Sequence, residues 1–522
     1  MNSERVAKSS DFLELKERLI EENRNYWRAG PGAAGSDRWI YVYHGMSADH
    51  FDWAFRENIV AKGLQEKTGL PVVSVIDGHG HALPEGLDAS FGIGESTHLF
   101  YSRYADERSE QATAAAAESM AKATYGDKDE LLRLEYRGIP FGDELYDHLL
   151  FKNWQKDAVS FDCFDVGIER YAHDIRAALS LIDQAFALFE KRCPTYVVTT
   201  ERIYLKRLFG SVAKTFGAKE IVILPDYPEV LVEIPADNQT ATVSDICDAA
   251  IRPCVGRVKT NPETVDNLFV FEGESRTEGY DFREKLGITN ENKNVFLFPH
   301  AFFDAPREGC RLNFYHDYRE WFLETLRIVK DIPGVNWIVK DHPETAYYKQ
   351  AAFVRKLFQE NQTPNMYWCE SDVSGMYIKD FADCLVTCGG EAALEYWAYG
   401  IPTVTTARTG FLSHGISYNM KSPEEYARTL RAIAELEKPS EESSARAREI
   451  LLAMKRMTKA APQDELAGLY GRVRKMQLNS YRSGLSFEHI PVFCEGYAAL
   501  LRRGAVKESC IYQMRNVCEV SL

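Results

Sequence analysis

A short apolar run, VNWIV (335–339), ends in three phosphate-competent polar groups: Lys340, His342 and Glu344. Further along, CLVT (384–387) runs into Gly389, Gly390 and Glu391, and a helical pattern follows with Glu395 one turn beyond Glu391. Each stretch reads as a buried strand whose carboxyl end opens a loop. In an open α/β sheet, ligands collect beyond such ends, where backbone N–H groups and helix N-termini gather. Lys340 and His342 can donate to an anion, the turn from Thr387 through Gly389, Gly390 and Glu391 can offer backbone N–H groups, and Glu395 can accept from ribose hydroxyls on the same helix face. This set suits binding a phosphate and stabilising the charge that builds on it as a bond breaks, which fixed donors do best where water is excluded. A plainer reading of Gly389-Gly390 is a tight strand–helix connection that needs positive φ.

A second group of candidates lies after other strand-like runs. His300 and Asp304 stand in PHAFFD, directly after VFLF, where they can orient a donor or an acceptor, or simply cap the chain from Ala305 onward. In the amino-terminal half, His44 follows WIYVY, and Asp77, His79 and His81 follow VVSVI. A general base for an acceptor hydroxyl needs only reach and a suitable pKa. Asp77 and His44 stand first among these four.

The elements that must position these residues follow from periodicity. Trp39–Tyr43, Val72–Ile76, Tyr196–Thr200 and Glu220–Leu224 read as strands, with helices over Asp11–Trp27, about Ala105–Thr124 and Ile168–Lys191. Asp143 is an expected N-cap after the turn GIPFG. Prolines 225, 228, 235 and 253 break up the stretch to about Tyr280, and the pattern restarts at Val295: strand, helix from Asp317 to Lys330, strand to Lys340, helix from Tyr347 to Glu360, strand at Met366–Trp368, strand at Cys384. Two strand series, each starting afresh, predict an α/β protein of two facing Rossmann-like domains with a C-terminal helical tail. The expected blocks are an N-terminal helix and linker (1–37), an acceptor domain (38–265), a nucleotide-sugar domain (266–470) and a tail without assigned role (471–522).

Composition narrows the class. At 522 residues the chain exceeds one ordinary core, and 45% hydrophobic content with 12% aromatics suits a protein with large buried cores. A formal charge of −15 argues against a nucleic-acid partner, which would need a basic footprint. With neither an apolar run long enough for a membrane span nor the apolar core of a signal peptide, the expected location is cytoplasmic, leaving peripheral membrane association open. The 11 cysteines include no CxxC pair, and Asp162 and Asp165 are two residues apart and do not make a DxD pair, so neither zinc nor another required metal or cofactor is expected.

The runs VFLFPHAFFDAPREG, VNWIVKDHPE and FADCLVTCGGEAALEYWAYGIPTV resemble bacterial capsule and surface-polysaccharide biosynthesis proteins, relatives of the GT-B glycosyltransferases that use CMP-activated acidic sugars such as Kdo or sialic acid. GIPFGDELYDHLL resembles their acceptor-side domain. The likeness covers Phe282 to Leu430 well, the first half loosely, and Met476 to Leu522 not at all. It implies a metal-independent transfer of sugar from a nucleotide-activated donor, CMP-linked by preference, to a glycan or lipid-linked glycan acceptor. It also implies phosphate contact by His342 and backbone contact from Thr387 to Ala392. Many relatives carry Ser or Thr where Glu391 stands. Two other functions fit the same residues: a nucleotide-sugar epimerase of this architecture, and a non-catalytic scaffold of a capsule-assembly complex that docks through the tail and its Arg482, Arg502, Arg503 and Lys507.

Overall fold

The computed structural model describes residues 12–27, 36–45, 51–77, 86–99, 107–154, 160–200, 202–227, 230–238, 240–254, 281–309, 311–342, 345, 349–371, 373–457, 464–483, 489–515 and 518–519. The side chains of some of these, Asp77 among them, lie outside that description, as do His79, His81 and Glu344 altogether. By contacts the chain divides into two compact units: 1–149 with 164–250 and 456–522, and 150–163 with 251–455. The expected blocks were contiguous, whereas these units interleave. The first unit takes in both chain ends, and the second takes in a short segment from the first half.

The first unit is built on strands β1 (Arg38–His44), β2 (Val72–Asp77), β3 (Ser96–Leu99), β4 (Cys193–Thr200), β5 (Lys219–Ile223) and β6 (Leu231–Ile234). Their order is β6-β5-β4-β1-β2-β3, with a short Cys518–Glu519 strand added outside β6. All pairs are parallel except β5 with β6. β1 is buried over its last five residues, the continuous apolar run of a strand covered on both faces. Helices Leu13–Tyr26, Phe51–Thr68, Glu465–Ser483 and His489–Arg503 share one core with the sheet, in which Phe55, Ile59, Leu469, Val473, Phe493 and Tyr497 pack near Ile40, Val42, Val198 and Ile221. The tail is thus part of this core. β6 falls in the proline-broken stretch where no strand was expected, and its pairing with residues from the far end of the chain leaves no local signal.

The second unit carries β7 (Lys293–Phe298), β8 (Val335–Lys340), β9 (Met366–Cys369), β10 (Cys384–Thr387), β11 (Thr403–Thr405) and β12 (Tyr418–Asn419), ordered β9-β8-β7-β10-β11-β12 and wholly parallel. The chain proceeds from β7 outward to β8 and β9, then returns to β10 on the other side of β7. That reversal makes β7/β10 the topological switch point. Phe296, Ile338, Leu385, Tyr396 and Ile401 form its core. Both sheets bear out the expected α/β class with two Rossmann-like units. Among the helices, Asp317 caps Tyr318–Val329 by accepting from the Glu320 N–H at 2.7 Å. Asp143, expected as a cap, instead lies in the first turn of Gly142–Trp154. Among the described residues no helix is long and apolar enough to cross a membrane, and no group of three His, Cys, Asp or Glu could hold a metal ion.

Candidate active site at the strand ends of the second unit

The loop after β7 is set by its aromatics. Phe302 and Phe303 are buried, and Phe161 packs against both, with ring centroids at 5.5 and 4.6 Å, and against Phe353 at 4.1 Å. This anchoring leaves the polar members of PHAFFD to the rim. The His300 ring stacks on Tyr318 at 4.3 Å and 25°, with its side chain 13% exposed. Its Nδ1 lies 3.4 Å from the Ala301 carbonyl and 3.9 Å from Asp304 Oδ2. Asp304 keeps about half its side chain in solvent (53%), and its carbonyl accepts from the Tyr318 hydroxyl at 3.3 Å.

His342 arrives from β8, the neighbouring strand. Its ring centre is 5.8 Å from that of His300. The His342 N–H donates to Asp341 Oδ1 at 2.8 Å, and the Thr345 N–H closes the turn onto the His342 carbonyl at 3.0 Å. Burial pushes the Asp341 carboxyl up to about 6, against the opposing pull of its hydrogen bonds from Thr345 and the His342 N–H. From the other side of β7 comes the turn after β10. A Cβ placed on Gly390 would sit 3.9 Å from both His300 Cδ2 and Thr387 Oγ1, ordinary contact distances, and Gly390 does not adopt positive φ. The reading of this glycine as a purely conformational requirement is therefore corrected: neither backbone nor packing demands it. What its missing Cβ does is leave the backbone open beside His300.

The residues expected from sequence thus part company. His300, His342, Thr387 and Gly390 come together at the switch point, with Gly389 and Glu391 in the same turn. Lys340 does not join them as a phosphate donor. It is buried, its ammonium donates to the Ser371 carbonyl at 3.1 Å, and it lies over the Phe298 ring at 5.8 Å. Glu391 is half-buried, whereas Glu395 is buried at 8% exposure within the Ala392–Ala398 helix, so it offers no open face to a ribose.

His44 is corrected outright. Its side chain is fully buried in the first unit, with Nδ1 2.5 Å from Glu57 Oε2 and Nε2 3.3 Å from Asp88 Oδ1. Burial alone would lower its pKa, but the Asp88 and Glu57 carboxylates outweigh that and raise it to about 10. An imidazolium sealed between two carboxylates has neither a free lone pair nor access to a substrate, so it cannot serve as a general base. Asp77 is the last residue of β2, paired in register with Leu99; its side chain lies outside the described residues. A small cleft in the same unit, lined by Asp52, Trp53, Arg56, Thr200, Tyr470 and Arg474, is largely self-paired: Arg56 donates to the Leu224 and Tyr227 carbonyls, Arg474 to Asp226, and Gln477 to Asp52.

Tyr318, Asp341 and Gln350 belong to the site and were not singled out from sequence. Tyr318 follows the Asp317 cap and Asp341 sits between two residues already noted, so a signal existed for both. Gln350 has no local signal.

No family model matches the chain, and no curated protein matches it. Among solved structures it is similar to the β-Kdo transferase KpsC of Thermosulfurimonas dismutans, at 13% identity over 50% of this chain and 80% of that one, TM-score 0.31. It is also similar to Anabaena HepE in complex with UDP and glucose (10% identity, 86% and 100% covered, TM-score 0.24). A third similar structure is UDP-GlcNAc 2-epimerase from Neisseria meningitidis bound to UDP-GlcNAc (12%, 78% and 94%, TM-score 0.23).

Proposed function

We propose that this protein is a glycosyltransferase of surface-polysaccharide biosynthesis, and that its second unit binds the nucleotide of an activated sugar donor, CMP-linked by preference. The observation that carries the reading is the meeting of His300, His342, Thr387 and Gly390 at one switch point. Phosphate approaches the backbone on the Cβ-less side of Gly390, and the imidazole of His342 donates to it. As the bond between sugar and phosphate oxygen breaks, charge grows on the phosphate, and these donors stabilise it most at that moment. The acceptor, a glycan or lipid-linked glycan, loses its proton to a base, and His44 is removed from the candidates for that role. Metal is not required, so activity is expected to survive EDTA.

A thermal-shift screen with CMP, CDP, UDP and GDP tests the binding step. A ligand at a hundred times its Kd raises stability by about 2.7 kcal/mol. No shift with any nucleotide would sink the reading. Release of free nucleotide from a nucleotide sugar only when an acceptor is added identifies the transferase. Interconversion of the donor without acceptor identifies an epimerase instead.

A further inference from the structure

Gln350 occupies the position just before the helix Ala351–Asn361, yet its side chain does not cap that helix. It is fully buried, with 0% exposure, and reaches across to the loop after β7. There its Oε1 accepts from the Phe302 N–H at 2.8 Å and its Nε2 donates to the His300 carbonyl at 3.2 Å, so the amide brackets Ala301 as a neighbouring strand would. Its own backbone N–H donates to the Thr345 carbonyl at 3.1 Å, and the Thr345 N–H donates to the His342 carbonyl at 3.0 Å. One residue therefore ties both histidine-bearing loops together, one through its side chain and the other through its main chain.

A second observation agrees. Both loops hold a non-glycine residue at positive φ, Ala305 at 43° after His300 and Lys349 at 55° directly before Gln350. Backbone of that kind persists only where its surroundings over-determine it. Gln350 supplies such a constraint to each loop, through its amide to the loop after β7 and through its main-chain N–H to the loop after β8.

We infer that Gln350 is a positioning residue that sets the spacing of His300 and His342. Its effect on turnover rests on the transferase reading, while the clamp itself does not. Groups that must meet one reacting centre lose rate steeply when their spacing slips, since misplacement of about 1 Å can cost on the order of a hundredfold. Binding of the ground-state phosphate is less demanding.

The test uses the full-length protein with Gln350→Met, which keeps the length of the side chain and removes both of its hydrogen bonds. Gln350→Glu serves as the second variant, keeping the acceptor for Phe302 and losing the donor to His300. In hydrogen exchange, Gln350→Met should speed the Phe302 amide, and with it the Thr345 and Gln350 amides, by about tenfold or more, with the strands of the first unit unchanged. Turnover should fall by about 10- to 100-fold while nucleotide Kd stays within about threefold, and Gln350→Glu should lie between wild type and Gln350→Met. Unchanged exchange in both loops would overturn the clamp, as would turnover equal to wild type in a variant that exchanges faster. A parallel loss of nucleotide affinity and turnover would point to general disruption and overturn it too. If the wild-type protein turns over no nucleotide sugar, the transferase reading fails, and exchange alone decides the clamp.

Discussion

His44 and His300 occupy comparable places in their respective units. His44 is the last residue of β1 and His300 lies two residues beyond β7, and β1 and β7 each flank the reversal of strand order in their sheets. Their fates are opposite. His44 is sealed between Glu57 and Asp88, and the Asp88 carboxylate further accepts from Ser74 at 2.6 Å and Asn58 at 2.9 Å. The second Glu57 oxygen accepts from the Thr200 N–H at 3.0 Å, tying β4 to the same knot. His300 instead lies on an aromatic face at the rim, with the carboxylate of Asp304 at 3.9 Å. One strand end has become internal scaffolding, whereas the histidine at the other keeps part of its side chain in solvent. A histidine at a strand end is thus no functional signal by itself. What decides is whether distant carboxylates close over it.

This contrast can be broken most forcefully at His44. Replacing it by Ala leaves Glu57 and Asp88 buried without their cation, and removing one partner of such a pair typically costs about 3–5 kcal/mol. Denaturant unfolding of His44→Ala should show a loss of that size, while the variant that remains folded keeps its nucleotide affinity. A loss below about 1 kcal/mol would mean that the knot is not a structural element. The pH dependence has a definite sign. The folded pKa is raised above its ordinary value of 6.5 to about 10, so the stabilisation is fully present below 6.5 and is lost as pH rises through about 10.

At the other strand ends the expected balance reverses. His342→Ala should leave stability nearly intact and lower turnover by about 10²–10³, the cost of one lost donor to developing charge. A folded variant with normal turnover would remove His342 from the site. A melting transition lowered as far as that of His44→Ala would erase the contrast between the two regions.

Asp341 sharpens the picture further. Its folded pKa is raised to about 6, so its contribution is favourable below the ordinary 3.8 and lost as pH rises through about 6. Asp341→Asn keeps an acceptor for the His342 N–H and removes the buried charge, and it should be more stable than wild type by about 1–3 kcal/mol at pH 7.5 and indistinguishable at pH 4. Melting curves at the two pH values decide it. The smallest effect is expected at Gly390. Gly390→Ala should leave stability within about 0.5 kcal/mol of wild type, since the added Cβ meets only ordinary contacts, but should weaken nucleotide binding by about tenfold. Unchanged affinity would show that no ligand approaches that backbone.

Much of this protein was legible in one dimension. The runs WIYVY, VVSVI, YVVTT, VFLF, VNWIVK and CLVT all became parallel strands, because continuous burial on two faces forces an uninterrupted apolar pattern that needs no knowledge of partners. Loops at their carboxyl ends followed from the same pattern, and with them the candidacy of His300, His342 and the Gly389-Gly390 turn. Tertiary structure alone decided which of these polar groups stayed available. Lys340 sits two residues before His342 and was equally eligible by type, but a carbonyl at Ser371 and the Phe298 ring claimed its ammonium. His44 was claimed by Glu57 and Asp88, Gln350 was recruited to hold the two histidine loops, and residues 518–519 joined the sheet edge beside β6. Side-chain spacing records which face of a segment is apolar, whereas the partner of each polar group depends on which remote segment packs against it, and that is fixed only when the chain closes on itself.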